Sequence, residues 1–230
     1  MLEDGRLVAV SSYFNDAVVS CAGLLAARAG SAVLTVFSGM PLGAASLADT
    51  DRRSGFKDAR EALLARHAQS DRALSLLGVQ GAQMDLLDEQ YLENGEGGRL
   101  TGALAVALTA LRPRVILIPL GLFRPGHIRV CDAGLTIRAL FPHVVWFAYE
   151  EASDGTPPGA VQERLALLLD RRITATPAGL APEGDAGGAR QRAIAARASL
   201  ADQNVSASAT APGRHPERYW RLSWKRDKIA

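Results

Sequence analysis

Residues 8–25 read VAVSSYFNDAVVSCAGLL, and they place an apolar strand, a short polar loop and a helix start next to one another. The first residues are apolar or β-branched, whereas small and apolar residues recur at helical spacing from Ala17 onward. We predict a strand over residues 6–10 and a helix over residues 17–29. Open α/β sheets bind ligands outside the carboxyl ends of their strands, so residues 12–16 are the expected place for chemistry.

The rest of the chain continues this alternation of apolar strands and amphipathic helices. Further strands are predicted over residues 31–37, 83–87, 114–119 and 144–149, and helices over 57–77, 101–111, 131–139 and 190–203. Residues 162–173 fit either a strand or an amphipathic segment. Strand–helix–strand units form parallel sheets, so the predicted fold is α/β and Rossmann-like, with a mostly parallel sheet sandwiched by helices. We expect a single domain over residues 1–230.

Composition and charge exclude several classes of protein. The 230 residues are 48% hydrophobic and 22% charged, which is ordinary for a globular domain. A net charge of +2 gives no reason to expect a nucleic acid or a membrane as partner. The chain has neither a long apolar run nor a leader pattern at its start, so we expect a cytoplasmic protein.

The C-terminal segment, residues 190–230, is rich in arginine and lysine. We expect it to dock on the domain with its charges in solvent. The alternative is that it binds something acidic, such as an anionic substrate or a substrate presented on a carboxylate-rich carrier protein. A homo-oligomer also stays open.

The loop at residues 12–16 resembles the signature of the LmbE-like, PIG-L type N-acetylglucosaminyl deacetylases, which are zinc hydrolases. That signature is His-Pro-Asp-Asp, followed by a helix of small apolar residues. Set on it, Tyr13 stands at the zinc-binding His, Asn15 at the general-base Asp and Asp16 at a metal-ligating Asp. The resemblance implies the deacetylase fold, with one of these three functional residues kept.

A second loop, residues 120–128, resembles the His-x-Asp-His stretch of the same family. His127 falls on the zinc-binding His, Arg124 on the His that stabilises the oxyanion, and Gly126 on the Asp that orients it.

Weaker matches extend the resemblance along the chain, and they supply the candidate substrate contacts Arg66, Asp88 and Tyr149. For Arg66, a place on a solvated helix face is the alternative.

These replacements change the chemistry that the site can perform. The family's reaction needs a metal ion that acidifies water and a carboxylate that takes the proton. A neutral phenol such as Tyr13 binds zinc weakly, and Asn15 cannot accept a proton at neutral pH. We therefore expect no metal and no other cofactor, with zinc left open. Arg124 supplies a permanent cation suited to sulfate, phosphate or carboxylate, and Asp16 becomes the candidate base.

The leading hypothesis is a metal-independent enzyme of specialised metabolism that acts on a small metabolite bearing an amine or a hydroxyl group. Its predicted catalytic residues are Asp16, Arg124 and His127, and its predicted substrate-binding residues are Tyr13, Asn15, Arg66, Asp88 and Tyr149. Elimination, or ring closure by intramolecular displacement of an anionic leaving group such as sulfate, fits these residue types. A zinc-dependent N-deacetylase and a non-catalytic binding protein are the alternatives.

Overall fold

The computed structural model describes residues 5–28, 30–41, 47, 49–88, 99–152, 155–180, 187–201 and 216–224. Its strands are β1 (Leu7–Ser11), β2 (Ala32–Thr35), β3 (Gln80–Gln83), β4 (Val115–Pro119), β5 (Val145–Tyr149), β6 (Ile173–Ala178) and β7 (Tyr219–Trp224). Its α-helices are α1 (Asp16–Ala26), α2 (Asp49–Arg53), α3 (Ala59–Leu77), α4 (Leu100–Leu111), α5 (Pro125–Ile137), α6 (Ala160–Asp170) and α7 (Gly187–Ala201).

These strands form one sheet in the order β3-β2-β1-β4-β5-β7-β6. The first five strands of the chain are parallel, and β7 runs antiparallel to both of its neighbours. The predicted fold class, an α/β fold with a mostly parallel sheet, is therefore confirmed. Every residue of β1 and β4 is buried, which explains why both strands are apolar except for Ser11 at the end of β1.

The winding of the chain reverses between β1 and β4. From β1 the chain continues to β2 and β3 on one side, and it then crosses over to β4 and β5 on the other. The loops that follow β1 and β4 therefore diverge at the carboxyl edge of the sheet and leave a crevice between them. This topology brings together the two loops that the sequence singles out.

Helices cover both faces of the sheet and bury two separate hydrophobic cores. Leu24 of α1, Leu74 of α3 and Ala193 of α7 belong to one core. Leu104 of α4 and Val130 of α5 belong to the other, together with residues from α6. Within the described ranges, no helix has the length and apolar character needed to cross a lipid bilayer.

Two predicted element boundaries were wrong, each for a local reason. Strand β3 covers Gln80–Gln83 rather than residues 83–87, because this edge strand is mostly exposed and its sequence is polar. Helix α5 begins at Pro125 rather than at residue 131, since proline is well suited to the first helical turn. Of the two possibilities for residues 162–173, the structure has the amphipathic segment: they are mostly helical, with Ile173 as the first residue of β6.

The basic C-terminal segment contributes β7 to the sheet, between β5 and β6. Some of its arginines contact the rest of the domain: Arg192 donates to the carbonyl of Ala26 at 2.7 Å, and Arg218 lies 3.6 Å from Glu150. Arg197 pairs with Glu217 within the segment itself. Residues 202–215 and 225–230, which carry part of the predicted basic charge, lie outside the described residues.

Glu217 reaches into a break in helix α1. The backbone of Cys21 leaves the helical region there, with φ −137°. The carboxylate of Glu217 accepts hydrogen bonds from the backbone N–H groups of Gly23, at 2.7 Å, and Leu24, at 3.3 Å. It also accepts a bond from the Tyr219 hydroxyl at 2.7 Å. The C-terminal segment thereby holds the helix whose first residue is Asp16.

We expect Glu217→Ala to lower the free energy of unfolding by about 3–5 kcal/mol. The substitution leaves the partly buried guanidinium of Arg197 and the backbone N–H groups of Gly23 and Leu24 without this acceptor. Urea denaturation monitored by circular dichroism measures the loss. Glu163→Ala removes the same group from an exposed position on α6 and should cost a few tenths of a kcal/mol. Equal losses in the two variants would contradict the role given to Glu217.

Candidate active site

The loop after β1 is folded back on itself so that Asp16 is held firmly. The Ser11 hydroxyl donates to the carbonyl of Tyr13 at 2.7 Å and accepts from the backbone N–H of Ala17 at 3.0 Å. The Asp16 carboxylate accepts from the backbone N–H of Tyr13 at 2.9 Å. Asn15 adopts a left-handed conformation, with φ 75°, which asparagine tolerates better than most residues. Asp16 is left 20% exposed at the start of α1.

The loop after β4 places His127 directly opposite Asp16. His127 lies in the first turn of α5, and its side chain is only 4% exposed. Gly126, beside it, leaves room for Tyr13, because a Cβ atom at residue 126 would overlap the Tyr13 hydroxyl. The Tyr13 ring lies 5.7 Å from the His127 ring and 5.4 Å from the Phe37 ring, centroid to centroid.

Three ionisable side chains stand in a row across these loops. The Asp16 Oδ2 atom is 2.9 Å from His127 Nε2. On the other side of the ring, His127 Nδ1 is 3.7 Å from Glu151 Oε1, beyond hydrogen-bond length. Glu151 Oε1 itself accepts from the backbone N–H of Gly121 at 2.7 Å. The row runs from the buried Glu151 through His127 to the partly exposed Asp16.

The charges in this row are mutually dependent. Burial lowers the pKa of His127, and the Arg124 guanidinium lowers it further. The carboxylates of Asp16 and Glu151 act the other way, and the net pKa lies above the ordinary 6.5. Burial raises the pKa of Glu151, whereas His127 and the N–H of Gly121 stabilise its anion. His127 therefore keeps its proton, and its donated bond to Asp16, to higher pH than an ordinary histidine does.

Glu151 is the site residue that the sequence reasoning missed. At this strand end, the substrate contact predicted from the sequence is Tyr149. In the structure, Tyr149 has no exposed surface, and its hydroxyl donates to the Val10 carbonyl at 3.0 Å. Tyr149 therefore supports the site from below, out of reach of a substrate, while Glu151 faces His127. Its position two residues further along the same strand end was the available signal.

The other predicted residues lie at differing distances from this row. Arg124 is close enough to influence His127 and lies over the Phe123 ring, 5.9 Å from its centroid. Arg66 is paired with the buried Asp51 on α2, so the structure does not place it with Asp16. Asp88 lies in the loop after β3, half-buried.

Asn15 faces away from the row, towards α3. Its side-chain N–H group donates to Gln69 Oε1 across a long 3.4 Å, and Gln69 is buried. The structure therefore places Asn15 against a helix rather than beside His127. Its role in substrate binding stays a prediction.

Seven buried side-chain N or O atoms of the described residues have no hydrogen-bond partner, and four of them lie at these loops. The four are Ser12 Oγ, Asn15 Oδ1, His127 Nδ1 and Glu151 Oε2. Each such atom costs free energy in a folded protein, so their concentration at one place is typical of a site that binds a polar molecule.

A groove of about 720 Å³ lies beside the row at the same edge of the sheet. Its walls come from α6, with Val161 and Leu165, and from β6 and β7, with Pro177 and Trp220. Glu150 lines this groove and accepts a hydrogen bond from Trp220 Nε1 at 3.0 Å, whereas the next residue, Glu151, faces His127. The groove and the row therefore adjoin the same strand end through two consecutive residues, and the lining of the groove does not include Asp16, His127 or Glu151.

A zinc ion, as the LmbE-like resemblance implies, would need a set of donor side chains at this site. Among the residues that the structure describes, no group of three or more His, Cys, Asp or Glu side chains is placed to hold a metal ion. Asp16 and His127 are within reach of each other, and the adjacent side chain is that of Tyr13.

No family model matches the sequence, and no curated protein matches it. Solved structures do match over nearly the whole chain. A triple mutant of a deacetylase involved in the teicoplanin biosynthetic pathway superposes with a TM-score of 0.71 at 20% identity, covering 97% of this chain and 100% of that one. The A40926 pseudoaglycone deacetylase Dbv21 gives 0.68 at 19% identity, covering 98% and 100%. A deacetylase–teicoplanin complex gives 0.68 at 18% identity, covering 96% and 100%.

At these identities the likeness establishes the fold. The chain has the α/β fold of these deacetylases, as the LmbE-like resemblance of its two loops implies.

Proposed function

We propose that this chain is a metal-independent acid–base enzyme of natural-product biosynthesis, with Asp16 as the proton acceptor. The observation that supports this proposal most directly is the row of side chains, in which buried Glu151 and buried His127 lie behind a partly exposed Asp16. Asp16 uses one oxygen, Oδ2, for its bonds to His127 and to the backbone of Tyr13. Its other oxygen, Oδ1, is the atom that we assign to the substrate.

His127 has a supporting role in this proposal. Because its pKa is raised, it stays protonated to higher pH and donates to Asp16. That hydrogen bond fixes the orientation of the carboxylate, with Oδ1 turned to the substrate. Glu151 in turn balances the positive charge on the ring.

Arg124 makes the site suitable for a substrate with an anionic group. A guanidinium can hold a sulfate, phosphate or carboxylate with two hydrogen bonds. Asp16 would take the proton from an amine or hydroxyl group, whose electron pair then forms a bond to a carbon within the same molecule. The bond from that carbon to the leaving group breaks, and the departing anion carries away the electron pair. Elimination uses the same groups, with the proton taken from carbon.

Two observations on the donor set support metal independence. Zinc in a catalytic site normally has three protein ligands, and Asp16 and His127 supply two. The third family position is occupied by Tyr13, and a phenol, unlike an imidazole, is not among the usual ligands of zinc. The described residues therefore do not fit the zinc site of the family, and no step of the proposed reaction uses a metal.

A zinc-dependent N-deacetylase is the second candidate. The observation that favours it is the superposition on teicoplanin-pathway deacetylases, which extends over almost the whole chain. In that case Asp16 and His127 would be ligands, and substrate or water would complete the coordination.

The two candidates differ in their need for metal and in their product. The experiment uses a metabolite extract from a source strain that lacks this gene, incubated with the untagged protein before and after treatment with EDTA. We expect mass spectrometry to show one metabolite consumed equally by both preparations, with a product that has lost the elements of an acid such as sulfuric acid. Loss of an acetyl group that depends on added zinc would overturn the proposal in favour of the deacetylase.

A further inference from the structure

We propose that Arg164, on helix α6, is a positioning residue that holds the loop carrying Gly121 and His127 in place. The inference rests on the proposed function in one respect, that the row of Asp16, His127 and Glu151 is the working site. Arg164 bonds Leu120 and Asp132 rather than any of these three side chains. It acts through the backbone to which Glu151 is bonded.

Arg164 occupies an unusual position for a charged residue. It shares one face of α6 with Ala160 and Leu168, at spacings of four residues, and its side chain is only 7% exposed. A guanidinium at such a position loses much of its hydration, which is unfavourable unless the group is well bonded. An apolar residue would continue the buried face of α6, so a buried arginine here needs an explanation in its contacts.

Those contacts join the two ends of the loop after β4. Arg164 Nε donates to the Leu120 carbonyl at 2.9 Å, at the point where the chain leaves β4. Arg164 Nη2 donates to Asp132 Oδ1 at 2.8 Å, and Asp132 lies on α5, the helix whose first turn contains His127. One rigid, planar group therefore spans the loop from its first residue to the helix that follows it.

The loop that is braced in this way carries the donor for Glu151. Gly121 comes directly after Leu120 and has φ +79°, a left-handed conformation that suits glycine. A Cβ atom at residue 121 would lie 3.0 Å from the Cβ of Cys131 and 3.2 Å from Arg164 Nη2, so the turn is tightly enclosed. Its N–H points at Glu151 Oε1, 2.7 Å away. Arg164 thus fixes the hydrogen bond that stabilises the Glu151 anion beside His127.

The amide proton of Gly121, followed by NMR, tests the proposal without a substrate. In Arg164→Met we expect the Gly121 N–H to lose its fixed bond to Glu151, so its proton signal should move upfield and its protection from solvent exchange should fall, while the amide signals of the buried strand β1 keep their positions. Arg171→Met is the matched control, since Arg171 Nη1 bonds the same Asp132 Oδ1 atom at 2.7 Å from an exposed position. We expect it to leave the Gly121 signal unchanged.

An Arg164→Met protein that is less stable but has an unchanged Gly121 signal would overturn the proposal and leave Arg164 a purely structural residue. Arg164→Lys keeps the charge but lacks the fixed planar fork, so it should move the Gly121 signal in the same direction. If neither variant folds, Asp132→Ala decides, because it removes one of the two bonds by which Arg164 spans the loop and lies at a half-exposed position. An unchanged Gly121 signal in that variant would contradict the inference.

These results are separable from the fate of the proposed function. If Asp16 proves not to be the base, the Gly121 signal still measures what Arg164 does to the loop. If that signal is unaffected while Asp16 is essential, the acid–base proposal stands and only the role of Arg164 is withdrawn.

Discussion

Asp16→Asn should reduce turnover by about 10²- to 10⁴-fold, the range that a general base usually contributes, while the fold is retained. An asparagine side chain has almost the same size, and its amide oxygen can still accept the bond from the Tyr13 backbone that Asp16 Oδ2 accepts now. It cannot take a proton at neutral pH. The substitution therefore removes the chemistry that we assign to Asp16 and keeps the loop geometry.

The measurement is the rate of metabolite consumption by the purified variant, together with a thermal melt that reports on folding. Asp71→Asn makes the same chemical change on an exposed side chain of α3, which interacts with His67 at 3.4 Å, and should leave the rate unchanged. Asp16→Glu keeps a carboxylate and should retain part of the activity. Full turnover by Asp16→Asn would exclude Asp16 as the base, and equal loss in Asp71→Asn would point to a general effect on the protein.

The central part of the fold could be predicted from the sequence because its strands are buried on both faces. Apolar runs such as residues 115–118 have no other favourable place than the middle of a parallel sheet. The peripheral strands carry weaker signals. Strand β3 is polar because it lies at an edge, and β7 pairs with β5 and β6 from far along the chain. Pairing over such distances leaves no periodicity that the local sequence could reveal.

The site shows the same division between local and distant information. Asp16, Arg124 and His127 follow strands β1 and β4, and strand ends at a reversal of winding are a position that sequence patterns can indicate. Glu151 and Arg164 act through contacts with residues about 30 or more positions away, such as Gly121 and Leu120. For Arg164, the sign visible in the sequence is a charged residue in the apolar stripe of α6. The partners of Arg164 are apparent only from the packing of α6 against the loop.

Tyr13→His is expected to give the chain a zinc site. Tyr13 lies next to Asp16 and His127, the two residues that the LmbE-like resemblance matches to zinc ligands. Its backbone N–H bonds Asp16, and its ring lies 5.7 Å from that of His127. An imidazole would replace a neutral phenol by a strong zinc ligand and would complete a set of three protein ligands. The Tyr13 hydroxyl now fills the space beside the Cα atom of Gly126. A histidine is shorter than a tyrosine and would leave that space open for a metal ion. We expect one zinc ion per chain with a Kd of about 1 µM or lower.

Isothermal titration with zinc, followed by elemental analysis of the dialysed protein, measures this gain. The native chain and Tyr13→Phe should bind no stoichiometric zinc, and adding His127→Gln to Tyr13→His should abolish the new site by removing one of its three ligands. Stoichiometric zinc in the native chain would instead show that Asp16 and His127 hold a metal without a third imidazole. Metal independence would then fail, and the deacetylase reading would replace it. Failure of Tyr13→His to bind zinc would mean that the hydrogen bond between Asp16 and His127, at 2.9 Å, is too stable to open for a metal.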